Sequence, residues 1–182
     1  MTLLIILALV AIVVIWVIGV QRKLVQKDEL CKNALSQIGV QQASRWDALT
    51  ALVELVKSYN EHEYNTLRDV IAQRKAINGD STASDVQAQE QALSGLVKNI
   101  TLVAEQYPDL KANENYAKVM DSVNVYENQV RMSRQVYNDT VTKYNQEIRQ
   151  FPTSLVAGLL KFNTREYLNE AVGKSEMPSM KI

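Results

Sequence analysis

Leu3 to Val20 is an unbroken apolar run, LLIILALVAIVVIWVIGV, without a single charged side chain. Counted from Met1, its 20 residues rise about 30 Å as a helix, the thickness of the hydrocarbon core of a bilayer. A secretory signal has a basic start, a shorter apolar core and a cleavage site of small residues. Here nothing basic precedes the run, and Gly19-Val20-Gln21-Arg22 offers no such site. Asp28-Glu29-Leu30 lacks the small residues expected before a lipidated Cys31. Residues 1–20 are therefore expected to be an uncleaved anchor with the lipid bilayer as their partner. Arg22, Lys23 and Lys27, joined by Lys32, flank the run on one side only. The positive-inside rule then keeps the rest of the chain in the cytoplasm and sends the N-terminus across. The expected address is the cell membrane, crossed once. Trp16 fits the headgroup belt or serves as one more apolar residue.

All 20 basic and 20 acidic side chains fall beyond the run, so the remainder of the chain is polar and suits one domain. Formal charge balance argues against a nucleic-acid partner, which calls for a basic excess or stripe. A single Cys and a single His, Cys31 and His62, exclude an internal disulfide and a self-contained Cys/His zinc site.

From Gln21 to Asn60 there is no Pro and one Gly, Gly39. Apolar residues recur at Cys31, Ala34, Leu35 and Ile38, then at Leu49, Leu52, Val53 and Val56, the spacing of one helical stripe. Arg45 and Trp46 bridge the gap, Gly39 is a place where the helix can loosen, and a single helix is expected to leave the membrane. A second helix is expected over Glu63 to Ile77, stopped by Asn78-Gly79. A third is expected to open on a Ser84–Gln87 capping box and to end at Tyr107-Pro108. A fourth runs over Tyr116 to Phe151, with Tyr116, Met120, Val123, Val130, Tyr137, Val141, Tyr144, Ile148 and Phe151 on one seam. Pro152 closes it, and Thr153 to Phe162 can form a short closing helix. The fold class expected is all-α: an N-terminal transmembrane helix continuing into an antiparallel up-and-down four-helix bundle over residues 21–168, with a flexible tail at 169–182.

Particular residues add to this periodicity. Tyr107-Pro108-Asp109-Leu110-Lys111-Ala112-Asn113, then Glu127-Asn128, Arg134, Tyr137-Asn138, Val141, Tyr144-Asn145, Ile148 and Phe151-Pro152 resemble, in order, the motifs of the bacterial LemA family. Arg45-Trp46-Asp47 fits the place of a first-helix motif, although Thr50 stands where members typically carry Pro. The resemblance implies a four-helix bundle behind one membrane helix and no established activity. It marks Arg45, Tyr107, Pro108, Asp109, Lys111, Asn113, Glu127, Asn128, Arg134, Tyr137, Asn138, Tyr144, Asn145, Phe151 and Pro152 as structural or interaction residues. In that setting Asp109 or Asn113 caps the fourth helix. The two Tyr-Asn pairs, seven residues apart, share a helix face from which their amides reach Arg45, Arg74 or a neighbouring helix.

No reactive constellation accompanies these motifs. Glu61-His62-Glu63 is not HExxH, since Thr66 takes the place of the second His, and no second Glu-x-x-His exists. His62 reads as a surface residue whose charge neighbouring carboxylates tune. Cys31 reads as a small buried hydrophobe, or as a palmitoylation or redox site. Phosphate loops and nucleophile elbows are absent. The sequons at Asn99 and Asn138 fall inside expected helices. Neither catalysis nor a cofactor nor a metal is expected. The leading expectation is a membrane-anchored scaffold or adaptor acting through protein–protein contacts, self-assembling as a homo-oligomer, with a protein partner the sequence does not name. The alternative is a membrane-remodelling or lipid-sensing protein that uses the juxtamembrane basic cluster.

Overall fold

The computed structural model describes residues 1–169, which are helical throughout apart from turns and two extended segments. The tail expected over 169–182 lies, but for Asn169, outside the described residues. Helix α1 (Thr2–Lys57) carries the apolar run and the first leg of the bundle as one rod of 56 residues. It is long and apolar enough to cross a membrane, and none of its apolar window is buried against the rest of the protein. The rod runs unbroken through Thr50, whose hydroxyl donates to the Trp46 carbonyl at 2.8 Å.

Asn60 accepts from the amides of His62 and Glu63 and opens α2 (Glu61–Ile71). This helix is six residues shorter at its C-terminal end than the expected one, which ran to Ile77. Residues 75–78 instead form an extended strap that returns along α1. Gly39 makes the approach possible, because a Cβ there would stand 2.0 Å from the Ile77 carbonyl oxygen. Gly39 therefore admits a neighbouring backbone and does not loosen α1, which runs through it unbroken. Helix α3 (Ala83–Gln106) opens on a capping box made by Thr82 and Asp85, two residues before the expected Ser84–Gln87 pair.

Pro108 occupies the first turn of the short α4 (Pro108–Lys111), where its missing N–H costs nothing. Asn113 accepts from the Asn115 amide and caps α5 (Glu114–Arg149), which settles the choice between Asp109 and Asn113. Helix α5 lies antiparallel to α1: near the anchor Glu147 meets Lys23 and Lys27, and farther out Glu127 meets Arg45. A last helix, α6 (Thr153–Leu159), ends where the Lys161 amide donates to Gly158 and the Phe162 amide to Ala157. Lys161 takes a left-handed φ of 59° at a position that usually holds Gly. Beyond it, residues 162–169 form a second extended strap.

Two apolar clusters fill the bundle. The outer one joins Trp46, Leu49, Val53 and Val56 of α1 to Leu93, Leu96 and Ile100 of α3 and Val123 of α5. The inner one joins Leu24, Cys31, Leu35 and Ile38 to Val86, Val130, Val141 and Tyr144. Each fully buried Leu or Val contributes about 1.5–3 kcal/mol, and helices with one apolar stripe can bury it only in such an arrangement. Phe151, expected to close the α5 seam, is instead 76% exposed, because α5 ends at Arg149 and the chain turns away.

Candidate functional site

Between the two apolar clusters lies a polar layer. Arg45 is 2% exposed, and its guanidinium bridges the other two long helices. One terminal nitrogen donates to Glu90 of α3 at 3.1 Å and the other to Glu127 of α5 at 3.0 Å. Gln42, one turn earlier and also buried, donates to Glu90 at 3.2 Å and to the Val86 carbonyl at 3.4 Å. Arg45 Nε, Gln42 Oε1 and Trp46 Nε1 are buried without a hydrogen-bond partner among the described residues. A planar fork suits this bridge better than a lysine, since one ammonium cannot reach two carboxylates on different helices equally well. Such a layer contributes to register more than to net stability. Arg45 and Glu127 were both legible as motif residues. Glu90 and Gln42 were not, although each interrupts an apolar stripe, between Val86 and Leu93 and between Ile38 and Leu49.

The Tyr-Asn pairs bond to neither Arg45 nor Arg74, contrary to expectation. They hold the C-terminal strap. Asn145 donates to the Arg165 carbonyl and accepts from the Arg165 amide, both at 2.9 Å. Asn138 treats Leu168 identically, again with both bonds at 2.9 Å. The spacing explains the match: seven helical residues advance about 10.5 Å, and three extended residues advance about 10 Å. Tyr137 adds a bond from its hydroxyl to the Glu166 carbonyl at 3.1 Å, while Tyr144 is buried in the inner cluster. Arg134 donates to the Asn169 carbonyl. On the other flank, Arg165 Nε donates to Asp28 of α1 at 2.7 Å, and that bond raises the guanidinium pKa further. The strap is thus clasped between α1 and α5 by contacts that read its backbone, with Arg165 and Leu168 as its side-chain anchors. Asn138 is engaged in this bonding, although it heads one of the sequons.

The first strap is held in the same manner. Gln89 of α3 accepts from the Lys75 amide at 2.9 Å and donates to the Gln73 carbonyl at 3.4 Å. Arg74 pairs with Asp47 at 2.6 Å.

The remaining motif residues knit the end of the bundle farthest from the anchor. The Tyr107 hydroxyl accepts from Asn60, and Asn113 donates to the Tyr59 hydroxyl at 3.2 Å. Asp109 and Lys111 are exposed at the two ends of α4, each with the sign that suits the helix dipole there. Asn128 accepts from Arg131 at 2.6 Å. Phe151 and Pro152 are exposed and belong to neither cluster.

At the membrane-proximal end Lys23 and Lys27 both reach Glu147, at 2.9 and 2.8 Å. Hydrogen bonds from Lys27 and then Lys23 hold this carboxyl below the usual carboxylate range. Two of the three flanking cations are therefore paired within the protein, though Lys23 stays exposed beside Arg22. Cys31 is fully buried, and burial pushes its thiol pKa up against a smaller lowering by a hydrogen bond with Thr140. The thiol stays protonated and out of reach, which fits the small-hydrophobe reading. His62 is exposed in the first turn of α2. Among the described residues no three His, Cys, Asp or Glu side chains come together in a way that could hold a metal ion.

An apolar rod that could span a bilayer, continuing into a bundle with a central polar layer and amide-clasped straps, defines an all-helical protein with one candidate membrane helix. The chain belongs to the LemA family, whose model matches residues 34–181. It is 25% identical over 144 residues to Protein LemA of Metamycoplasma hominis, a match covering 77% of this chain and 64% of that protein. It is also 32% identical over 68 residues to the magnetosome proteins MamQ 1 and MamQ 2 of Paramagnetospirillum magneticum, covering 37% of this chain and 25% of each relative. The matched parts thus span less than two thirds of each curated relative.

Proposed function

We propose that this protein is a membrane-anchored scaffold or adaptor that works by protein–protein contact, with its bundle on the cytoplasmic face of the cell membrane. The observation that carries this reading is an apolar stripe on the outer face of α5. Val125, Met132 and Val136 are exposed, and their spacing of seven and four puts them on one side of the helix. The stripe is about 16 Å long at helical rise and is left uncovered by the described residues. A patch of this kind on an otherwise polar helix suits a second helix. Because the anchor and the first leg of the bundle are one helix, the stripe is confined to a layer above the bilayer, which raises its effective concentration for membrane partners or for a second copy. Self-assembly along α5 is the partner relation this geometry favours.

The test is the mass of the full-length particle in mild detergent, with and without crosslinking across Met132→Cys. A homo-oligomer, or a copurifying partner that Val136→Glu displaces, is expected. A lone monomer that crosslinks to nothing would remove the adaptor reading.

A further inference from the structure

Phe151, Leu155 and Leu159 form a second apolar stripe, at the opposite end of the bundle. They are 76%, 65% and 78% exposed; the step of four puts Leu155 and Leu159 on one side of α6, and Phe151 is exposed in the turn that leads into it. The other side of α6 is buried, with Val156 and Ala157 turned inward and Ala157 part of the inner cluster to which Leu24 also belongs. The short helix is thus amphipathic, and it is docked onto α1 rather than dangling from α5.

Its height along α1 is set by the α1–α5 register. Glu147 lies opposite Lys23 and Lys27, and Glu127 opposite Arg45. That antiparallel register brings Arg149, the last residue of α5, opposite Lys23, three residues beyond the end of the apolar run, and α6 follows from there. The strap agrees, since Arg165 meets Asp28 and the chain leading back to α6 descends from there toward the anchor. Exposed cations surround the stripe: Arg149 before it, Lys161 after it, and Arg22 on the facing turn of α1.

We infer that α6 is an interfacial foot: Phe151, Leu155 and Leu159 insert into the headgroup–acyl boundary beside the anchor, with Arg22, Arg149 and Lys161 at the phosphate level. The inference rests on residues 2–20 spanning the bilayer, and it adds a second lipid contact that no transmembrane run supplies. An amphipathic helix with flanking cations is the form such contacts take. Two attachment points fix the tilt of the bundle, which one helix alone leaves open. They also place the clasped strap, which begins three residues after Leu159, directly above the headgroups.

The experiment places an environment-sensitive fluorophore on single introduced cysteines in the full-length protein, reconstituted in phosphatidylcholine–phosphatidylglycerol vesicles. Buried Cys31 stays in place, with unsubstituted protein as the labelling blank. Ile12→Cys reports the anchor, Leu155→Cys and Leu159→Cys the foot, and Asn65→Cys, exposed on α2, the outer bundle. Lipids carrying a quencher near the top of the acyl chain are expected to quench positions 155 and 159 several-fold more than 65. Aqueous iodide is expected to do the reverse. If iodide reaches 155 and 159 as it reaches 65 while position 12 is quenched from within the lipid, the foot is overturned and the anchor stands. Shielding of 155 and 159 from both quenchers would mean a protein covers them, which also overturns the inference. Loss of lipid quenching at position 12 would remove the anchor, and the foot with it.

Discussion

Asn145→Ala removes both hydrogen bonds that fasten Arg165 to α5. Alanine offers neither donor nor acceptor, and Asn145 is a buried residue, so water replaces the lost partner only when the strap lifts. A neutral hydrogen bond contributes about 0.5–1.5 kcal/mol net, so two in one clasp are worth about 1–3 kcal/mol. At 1.4 kcal/mol per factor of ten, strap opening should become roughly 5- to 140-fold more frequent. Hydrogen exchange of the full-length protein in detergent reads this directly, because the amides of Arg165 and Leu168 are the ones the two asparagines accept. Faster exchange is expected across 162–169 with the α1–α3 contacts unchanged. Asn138→Ala should act on the same segment through Leu168, and the double variant should exceed either single one. Unaltered exchange of the strap in Asn145→Ala would refute the clasp.

Three further perturbations probe other contacts. Arg45→Met leaves Glu90 and Glu127 without their shared cation, and chemical denaturation should show a loss of about 3 kcal/mol, which Arg45→Lys restores only in part. Gly39→Ala drives a methyl into the Ile77 carbonyl, so tryptic cleavage at Arg74 and Lys75 should accelerate as the first strap lifts, at a cost of about 1–3 kcal/mol. The third concerns acid. Glu147 has its folded pKa lowered by Lys27 and Lys23, so its contribution is complete above the unfolded value of about 4.3 and fades as pH falls through the lower folded value. Glu147→Gln should therefore be less stable than the parent near neutrality, with the gap closing as pH falls below the unfolded value.

The parts of the fold legible in the sequence are those set by local periodicity. The α1 stripe, the α5 seam and the stop at Tyr107-Pro108 depend on residues within one or two turns of each other. Both straps depend on residues far away. Ala72 to Ile77 contains no helix breaker, yet it leaves the helix because Gly39 offers room for its backbone and Gln89 satisfies Lys75 and Gln73. Nothing within the segment announces this. Residues 162–169 have no period to read, and only the seven-residue spacing of Asn138 and Asn145 hints that something lies along that face. The polar layer is half visible, since Arg45 and Glu127 stand out as motif residues while Glu90, the other partner of Arg45, looks like an ordinary surface glutamate. The basic flank reads as a lipid-facing cluster because charge counting does not see Glu147, more than a hundred residues on.

Anchor, foot and docking stripe all require residues 2–20 to remain joined to the bundle and embedded in lipid. Intact mass spectrometry of the protein, after its membranes are washed with alkaline carbonate, addresses this most directly. The full 20.5 kDa chain is expected in the washed pellet. A species shortened by the apolar run and released into the wash would contradict the anchored arrangement.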